Sequence, residues 1–258
     1  MSLARVEDHG DRLVVVNANA GRRGALSPDL YEAVIDACTR ARGARVGAVL
    51  ITSEGGFFCA GGDLNALRSR RDLSEAERRQ RIEDLHEVIR AIRECPVPVI
   101  AAVEGGAAGA GLSMALACDF VIAGESARFT AAYIKAGLVP DGGLTAALAR
   151  LVPRAFATEM CLLGQPVPAG RMQALGAIYR TVPDGQTEHE ANALIDVICA
   201  GPPAAQTEIK KLIGAAYDTE EAIQMNNERN AMAKAIGGSE AAEGIAAFLE
   251  KRPTRFAR

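Results

Sequence analysis

The sequence contains no tryptophan and only three histidines, and aromatic residues make up 4% of its 258 positions. Its six cysteines stand singly, without a C-x-x-C pair, and no histidine neighbours a cysteine. The ligand pairs that hold zinc and the spacing of a disulfide framework are therefore missing. We predict no metal site and six reduced, mostly buried thiols.

Long apolar runs and a strong net charge are also missing. No stretch reaches the roughly 18 to 20 uninterrupted apolar residues of a membrane span, and the N-terminus does not have the pattern of a signal peptide. The formal net charge is −3, and the arginines between Arg68 and Arg81 alternate with acidic residues, as on a solvated helix. We therefore expect a cytoplasmic protein that binds neither nucleic acid nor a membrane.

What the sequence does contain is an alternation of buried strands and helices. Polar and apolar residues alternate around Ala4–Glu7 and Arg12–Asn17, which predicts a β-hairpin. Val46–Thr52 and Val97–Val103 are apolar and rich in β-branched residues, which indicates buried strands. Each of these strands is followed by a glycine-rich turn and then a helix. The sequence therefore predicts an α/β fold.

The pattern changes in the second half of the chain. After Pro140 only Ala177–Val182 has the pattern of a strand, and the other segments have helical periodicity. The segment Gly201–Pro203 is typical of a boundary. We predict a core over residues 1–200 that holds the functional site, and a helical C-terminal region over residues 201–258.

Two glycine-rich turns, Gly55–Asp63 and Gly105–Gly111, are the most informative motifs. Such turns let backbone N–H groups approach a ligand closely. A dinucleotide template that begins at Gly109 and Gly111 fails at Met114, and no Gly-Lys-Ser/Thr follows either turn. Two converging turns suit a carbonyl oxygen that needs two donors, although the residues alone also allow purely structural turns.

Four segments together resemble the enoyl-CoA hydratase/isomerase (crotonase) superfamily. They are Phe58–Leu64, Gly105–Asp119, Gly137–Gly143 and Ala247–Arg252, and their order and spacing extend the resemblance over nearly the whole chain. It implies a crotonase-type spiral of ββα units with a helical C-terminal region. It also implies an acyl-CoA thioester substrate, no cofactor beyond the coenzyme A of that substrate, and a homotrimer or a hexamer built as a dimer of trimers.

The resemblance also implies roles for particular residues. Members of the family hold the thioester carbonyl with two backbone N–H groups, one from each glycine-rich turn. At the matching positions these are the N–H groups of Ala60 and Ala110, although relatives more often have glycine where Ala110 stands. The other implied contacts to the acyl-CoA, some of them from a neighbouring subunit, are Arg23, Ala25, Leu26, Gly61, Asp63, Leu64, Tyr133, Leu138, Phe248 and Lys251.

The sequence departs from the hydratase pattern at two positions. Hydratases of the family use two glutamates around one water, and here Ser113 and Tyr133 stand in their places. Neither hydroxyl is a base near neutral pH. Asp141 remains, at a position where isomerases of the epoxyphenylacetyl-CoA isomerase and oxepin-CoA hydrolase-like branch have an acid. We therefore predict an isomerase that moves a proton with Asp141.

Three alternatives stay open. Two of them are other functions for the chain: a hydratase or ring-opening hydrolase that uses one acid and a water, and a non-catalytic subunit that binds CoA esters. The third concerns the role of Asp141. Asp141 itself is a candidate N-cap of the helix that follows it. A serine nucleophile at Ser113 is disfavoured, because its surroundings do not have the G-x-S-x-G pattern.

Overall fold

The computed structural model describes residues 2–43 and 45–257. Its strands are β1 (Ala4–Asp8), β2 (Arg12–Asn17), β3 (Ala48–Ser53), β4 (Val99–Val103), β5 (Gly106–Ala108), β6 (Phe120–Gly124), β7 (Arg128–Thr130), β8 (Val167–Pro168) and β9 (Arg180–Val182). Its α-helices are α1 (Pro28–Arg40), α2 (Leu64–Ser69), α3 (Glu75–Glu94), α4 (Ala110–Ala117), α5 (Leu144–Leu151), α6 (Arg154–Leu163), α7 (Ala169–Ala174), α8 (Thr187–Cys199), α9 (Pro203–Ala215), α10 (Glu221–Ile236) and α11 (Ser239–Glu250). Short 3-10 helices cover Ala20–Arg22, Arg70–Asp72 and Ala132–Ala136.

The larger sheet has six strands in the order β1-β2-β3-β4-β6-β9. Strand β1 is antiparallel to β2, and the remaining pairs are parallel. All five residues of β4 are buried, as expected for a strand that is covered on both faces. The prediction of an α/β fold is confirmed, and the predicted hairpin is β1 and β2.

A second sheet of three very short strands lies beside the first, in the order β5-β7-β8. The sequence predicted none of these strands, because two or three residues are too few to show an apolar alternation. An isolated bridge between Cys59 and Ala107 attaches the first glycine-rich turn to this sheet. The chain therefore passes from a strand of the large sheet to the small sheet and then into a helix.

The sequence between Arg68 and Arg93 predicts one helix with a solvated side, because apolar residues recur on one face of this charged segment, and this prediction is wrong. The structure divides the region into α2, a 3-10 turn and α3. Helix α3 starts at a capping box in which the Ser74 hydroxyl accepts the N–H of Glu77 and the Glu77 side chain accepts the N–H of Ser74. The Ser-x-x-Glu spacing is a sequence signal for this boundary.

Helices α9, α10 and α11 pack loosely on the rest of the chain. Among the described residues, α9 and α10 contain no buried side chain and α11 contains only Ala247. Lys210 attaches α9 to the core, since its ammonium group lies 2.6 Å from Asp119 and 3.0 Å from the Val97 carbonyl. None of the described helices is long and apolar enough to cross a membrane.

Candidate active site

The second glycine-rich turn delivers the start of α4 into the core. Gly109 has φ 52°, a conformation that suits glycine, and its N–H donates to the Thr130 carbonyl at 2.9 Å. Ala110 is the first residue of α4, and its N–H meets no acceptor within residues 2–43 and 45–257. Such an N–H group is available to donate to a ligand. Alanine is tolerated there because the left-handed residue is Gly109.

The first glycine-rich turn lies directly against this helix start. The Phe58 N–H donates to the Glu104 carbonyl at 2.9 Å, and the Ala108 N–H donates to the Cys59 carbonyl at 2.9 Å. A β-carbon on Gly111 would collide with the Cys59 carbonyl. The two turns therefore meet because position 111 has no side chain.

The structure separates the candidate donors of the first turn into an occupied one and a free one. The Ala60 N–H donates to the Arg23 carbonyl at 3.0 Å, so the predicted donor is already engaged. The Gly62 N–H has no acceptor in the described parts of the chain. Gly61, at φ 88°, faces Ala110: a β-carbon there would lie 3.2 Å from the Ala110 nitrogen. The free N–H groups of Gly62 and Ala110 therefore belong to adjoining segments.

The loop before α1 is held against the first turn. The Leu26 N–H donates to the Gly61 carbonyl at 2.9 Å, and Ala25 is buried. The guanidinium of Arg23 lies 4.0 Å from the centre of the Phe57 ring. These contacts bring one set of predicted CoA-binding residues together.

Asp63 has two structural roles at the end of this turn. Its carboxylate accepts the Asn65 N–H at 2.8 Å, which caps α2, and it forms an ion pair with Arg22. The Asn65 N–H and the charge of Arg22 hold the pKa of Asp63 below its usual range. We predicted Arg23 as a contact to the acyl-CoA but did not name Arg22, although arginine stands at both positions of the sequence.

Ser113, Tyr133 and Asp141 form a hydrogen-bonded cluster one helical turn beyond Ala110. The Tyr133 hydroxyl lies 2.7 Å from Asp141 Oδ1. Ser113 Oγ lies 2.9 Å from the Asp141 carbonyl oxygen, to which it donates, and 3.1 Å from the Tyr133 hydroxyl. The two positions that hold glutamates in hydratases are therefore joined here to the single carboxylate.

Burial controls the chemistry of the two hydroxyl groups. It raises the pKa of Tyr133, and the charge of Asp141 raises that pKa further. Tyr133 is therefore a neutral hydrogen-bond donor near pH 7. Ser113 is 1% exposed, and its hydroxyl group contacts the Asp141 carbonyl oxygen and the Tyr133 hydroxyl.

The side chain of Asp141 is not a helix cap. The N-cap of α5 is Gly143, at φ 71°, and no side chain caps this helix. Only the backbone carbonyl of Asp141 takes part, by accepting the Leu144 N–H at 3.2 Å. The capping alternative is therefore wrong, and the half-buried carboxylate remains available for chemistry.

Four predicted contact residues lie outside these groups. Leu64 and Leu138 are 68% and 42% exposed on α2 and on the loop before Asp141. Phe248, on α11, is 84% exposed, and Lys251 is the left-handed C-cap of that helix. Their contacts to a ligand stay predictions.

The geometry defines an α/β protein in which two unengaged backbone N–H groups adjoin the start of α4, and Ser113 of the same helix contacts Asp141. Paired backbone donors of this kind suit a carbonyl oxygen. The chain belongs to the enoyl-CoA hydratase/isomerase family, whose model matches residues 14–258. Members of this family act on acyl-CoA thioesters.

Individual relatives cover nearly the whole chain. A probable enoyl-CoA hydratase of Rhodobacter capsulatus is 38% identical over 247 residues, which cover 95% of this chain and 91% of that protein. The 1,2-epoxyphenylacetyl-CoA isomerase of Escherichia coli is 35% identical over 209 residues, with 81% and 80% covered. The crystal structure of an enoyl-CoA hydratase from Polaromonas sp. JS666 superimposes with a TM-score of 0.95 at 40% identity, covering 98% of this chain and 99% of that one. The predicted crotonase-type fold is confirmed.

Proposed function

We propose that this chain is an acyl-CoA isomerase that moves a double bond through a thioester enolate. The observation that carries the proposal is the cluster of Ser113, Tyr133 and Asp141. Both glutamate positions of a hydratase are occupied by hydroxyl groups, and both hydroxyls contact Asp141. A single carboxylate can remove a proton from one carbon and return it to another.

The thioester oxygen binds to the N–H groups of Gly62 and Ala110. We assign Gly62 in place of Ala60, because the Ala60 N–H already donates to Arg23. When the proton leaves the acyl chain, negative charge develops on the thioester oxygen, and two fixed donors stabilise this charge without reorganisation. Ala110 adds the positive end of the α4 dipole.

Asp141 carries the proton between the two carbons. The C–H bond breaks, its electron pair enters the enolate, and the proton moves to the carboxylate. The Asp141 carboxyl group then gives a proton to the other carbon, and when its hydrogen has exchanged with solvent in the meantime, the product carries a hydrogen from solvent. No electrons leave the substrate and no water is consumed, so the reaction needs no cofactor.

The coenzyme A part binds between the loop before α1 and the first turn. Arg23, Ala25 and Leu26 line one side, and Gly61, Asp63 and Leu64 line the other. We propose Tyr133 and Leu138 as contacts to the acyl group. In a trimer or hexamer of this chain, Phe248 and Lys251 of a neighbouring subunit approach the nucleotide, where a lysine attracts phosphate.

A hydratase or ring-opening hydrolase is the second candidate, because the Rhodobacter capsulatus relative is a probable enoyl-CoA hydratase. In this mechanism Asp141 activates a water that adds to the bound acyl group. Solvent oxygen then enters the product, whereas isomerisation incorporates none.

The test is proton exchange on a panel of 2-enoyl-CoA and 3-enoyl-CoA thioesters in heavy water, followed by mass spectrometry. We expect deuterium at the α and γ carbons with the native protein and none with Asp141→Asn, while calorimetry shows that the variant still binds the ester. The matched control is Asp36→Asn, at an exposed carboxylate on α1 that pairs with Arg40, and it should exchange at the native rate.

Three other outcomes would redirect the proposal. Full exchange with Asp141→Asn would exclude Asp141 as the base. Uptake of ¹⁸O from labelled water would identify a hydratase or hydrolase. Binding of every ester without exchange or ¹⁸O uptake would indicate a non-catalytic subunit.

A further inference from the structure

When Asp141 is ionised, the cluster of Ser113, Tyr133 and Asp141 contains three close contacts between oxygen atoms but only two hydroxyl hydrogens that can form hydrogen bonds in them. Its three contacts are Ser113 Oγ to the Asp141 carbonyl at 2.9 Å, the Tyr133 hydroxyl to Asp141 Oδ1 at 2.7 Å, and Ser113 Oγ to the Tyr133 hydroxyl at 3.1 Å. Serine and tyrosine contribute one hydrogen each. The carbonyl accepts only, so the serine hydrogen is committed to it.

A proton on Asp141 completes the set. With the carboxyl hydrogen on Oδ1, Asp141 donates to the Tyr133 oxygen, Tyr133 donates to Ser113 Oγ, and Ser113 donates to the Asp141 carbonyl. Every contact then has one hydrogen. If the carboxyl hydrogen is on the other oxygen instead, Tyr133 continues to donate to Oδ1. The 3.1 Å contact between the Tyr133 hydroxyl and Ser113 Oγ then has no hydrogen.

We propose that Ser113 is a positioning residue that receives the Tyr133 hydrogen while Asp141 holds the proton taken from the substrate. The inference rests on the proposed role of Asp141 as the base. When the substrate C–H bond breaks, the proton goes to the Asp141 carboxylate and the electron pair stays in the enolate. The Tyr133 O–H bond turns from Asp141 to Ser113 without breaking, and it turns back when the proton returns.

Burial makes this second acceptor important. Ser113 is 1% exposed and Tyr133 packs against the main core, so water is largely kept from the contact between them. In a low-dielectric interior, a polar group that loses its partner loses stability that water cannot restore. Ser113 therefore stabilises the protonated state of Asp141, whereas the Tyr133 hydroxyl stabilises the ionised state through a charge-assisted bond.

Other charged or titratable groups near the cluster come from neighbouring elements. Tyr31, on α1, interacts electrostatically with Asp141, and Arg70 and Asp84 lie around Tyr31. The guanidinium of Arg93, on α3, would lie 3.2 Å from a β-carbon on Gly143. All of these groups are unchanged in the variants below, so they cannot produce shifts of opposite sign.

The experiment is a ¹³C NMR titration of protein labelled at the aspartate carboxyl carbons, with the Asp141 signal assigned by its absence from Asp141→Asn. We expect the titration midpoint to move to lower pH by about half a unit in Ser113→Ala, because the protonated state loses an acceptor. In Tyr133→Phe it should move to higher pH by about one unit, because the carboxylate loses a donor.

The double variant separates a relay from a local packing effect. Ser113 acts through the Tyr133 hydroxyl, so Ser113→Ala combined with Tyr133→Phe should titrate like Tyr133→Phe alone. Ser113→Cys, whose sulfur is a weak acceptor, is a second variant that should shift in the same direction as alanine if the alanine variant folds poorly. The acidic limb of the exchange rate against pH should follow the same order.

Two results would overturn the inference. An unchanged midpoint in Ser113→Ala would mean that the carboxyl hydrogen lies on the other oxygen and that serine only supports the loop. Additive shifts in the double variant would mean that Ser113 acts independently of Tyr133. Failure of the proposed function has a different signature, because Asp141→Asn would then keep full exchange activity.

Discussion

Gly142 lies so close to Ser113 that a β-carbon on the glycine would stand 2.9 Å from the serine Cβ. The glycine has φ 59°, a left-handed conformation that favours glycine. The absence of a side chain at this one position lets the loop that carries Asp141 rest on α4. The carboxylate is positioned by this contact as well as by its hydrogen bonds.

Replacing this glycine should therefore displace Asp141, the proposed base. Gly142→Ala introduces a left-handed alanine and a collision with Ser113, and a shift of about 1 Å in a catalytic group can cost about 10²-fold in rate. We expect a loss of that order in the exchange rate. The matched control is Gly176→Ala, at φ 76° with no atom within 4 Å of the added carbon. It should lose stability from strain and keep the exchange rate per folded molecule; equal rate losses in the two variants would contradict this.

The donor role of Ala110 can be tested with proline. Proline is accommodated at the first residue of a helix and has no N–H, so Ala110→Pro removes the donor while α4 keeps its start. We expect a fall of about 10² to 10³-fold in the exchange rate, measured on the same thioester panel.

Proline at the same position of another helix provides the comparison. Glu221 is the first residue of α10 and exposed, and Glu220 before it has extended backbone angles that proline tolerates. Glu221→Pro should fold with the native circular dichroism spectrum and exchange at the native rate. A full rate in Ala110→Pro would exclude its N–H as a donor to the thioester.

The hydrogen bonds of the Glu243 carboxylate should contribute to the free energy of unfolding in a way that depends on pH. Its carboxylate accepts hydrogen bonds from the Arg252 guanidinium at 2.7 and 3.0 Å and from the Arg255 N–H at 2.7 Å. Arg252 and then the Arg255 N–H lower the pKa of Glu243 to about 2. Since the value in the unfolded chain is about 4.3, the contribution is present above that pH and is lost as the pH falls through about 2.

Thermal unfolding of Glu243→Gln over a pH series checks this sign. The native protein should have the higher Tm at pH 6 to 7, and the difference should shrink as the pH falls from about 4.3 towards 2. The control is Glu87→Gln, at an exposed position on α3, which should show no such trend. A difference that grows at low pH would contradict the assignment.

Local sequence patterns were sufficient to predict those helices and strands that depend mainly on neighbouring residues. A Ser-Pro pair is typical of an N-cap and the first residue of a helix, and Ser27 and Pro28 do begin α1, where the Ser27 hydroxyl accepts the Leu30 N–H. The apolar run up to Val103 indicated β4 because a strand buried on both faces needs no polar side chains. The strands β5, β7 and β8 were missed since their residues become strands only by pairing with distant partners.

The sequence by itself also determined which residue types are available for chemistry: a carboxylate at Asp141 and hydroxyls where a hydratase has glutamates. Only the tertiary structure decided which groups they contact. The Arg23 carbonyl, from a loop before α1, occupies the Ala60 N–H and leaves Gly62 free. Ser113 and Tyr133, 20 residues apart, meet at one carboxylate. Which backbone N–H groups and hydroxyl groups find hydrogen-bond partners depends on which segments pack together. Packing between residues that are far apart in the chain leaves no periodic pattern in the sequence.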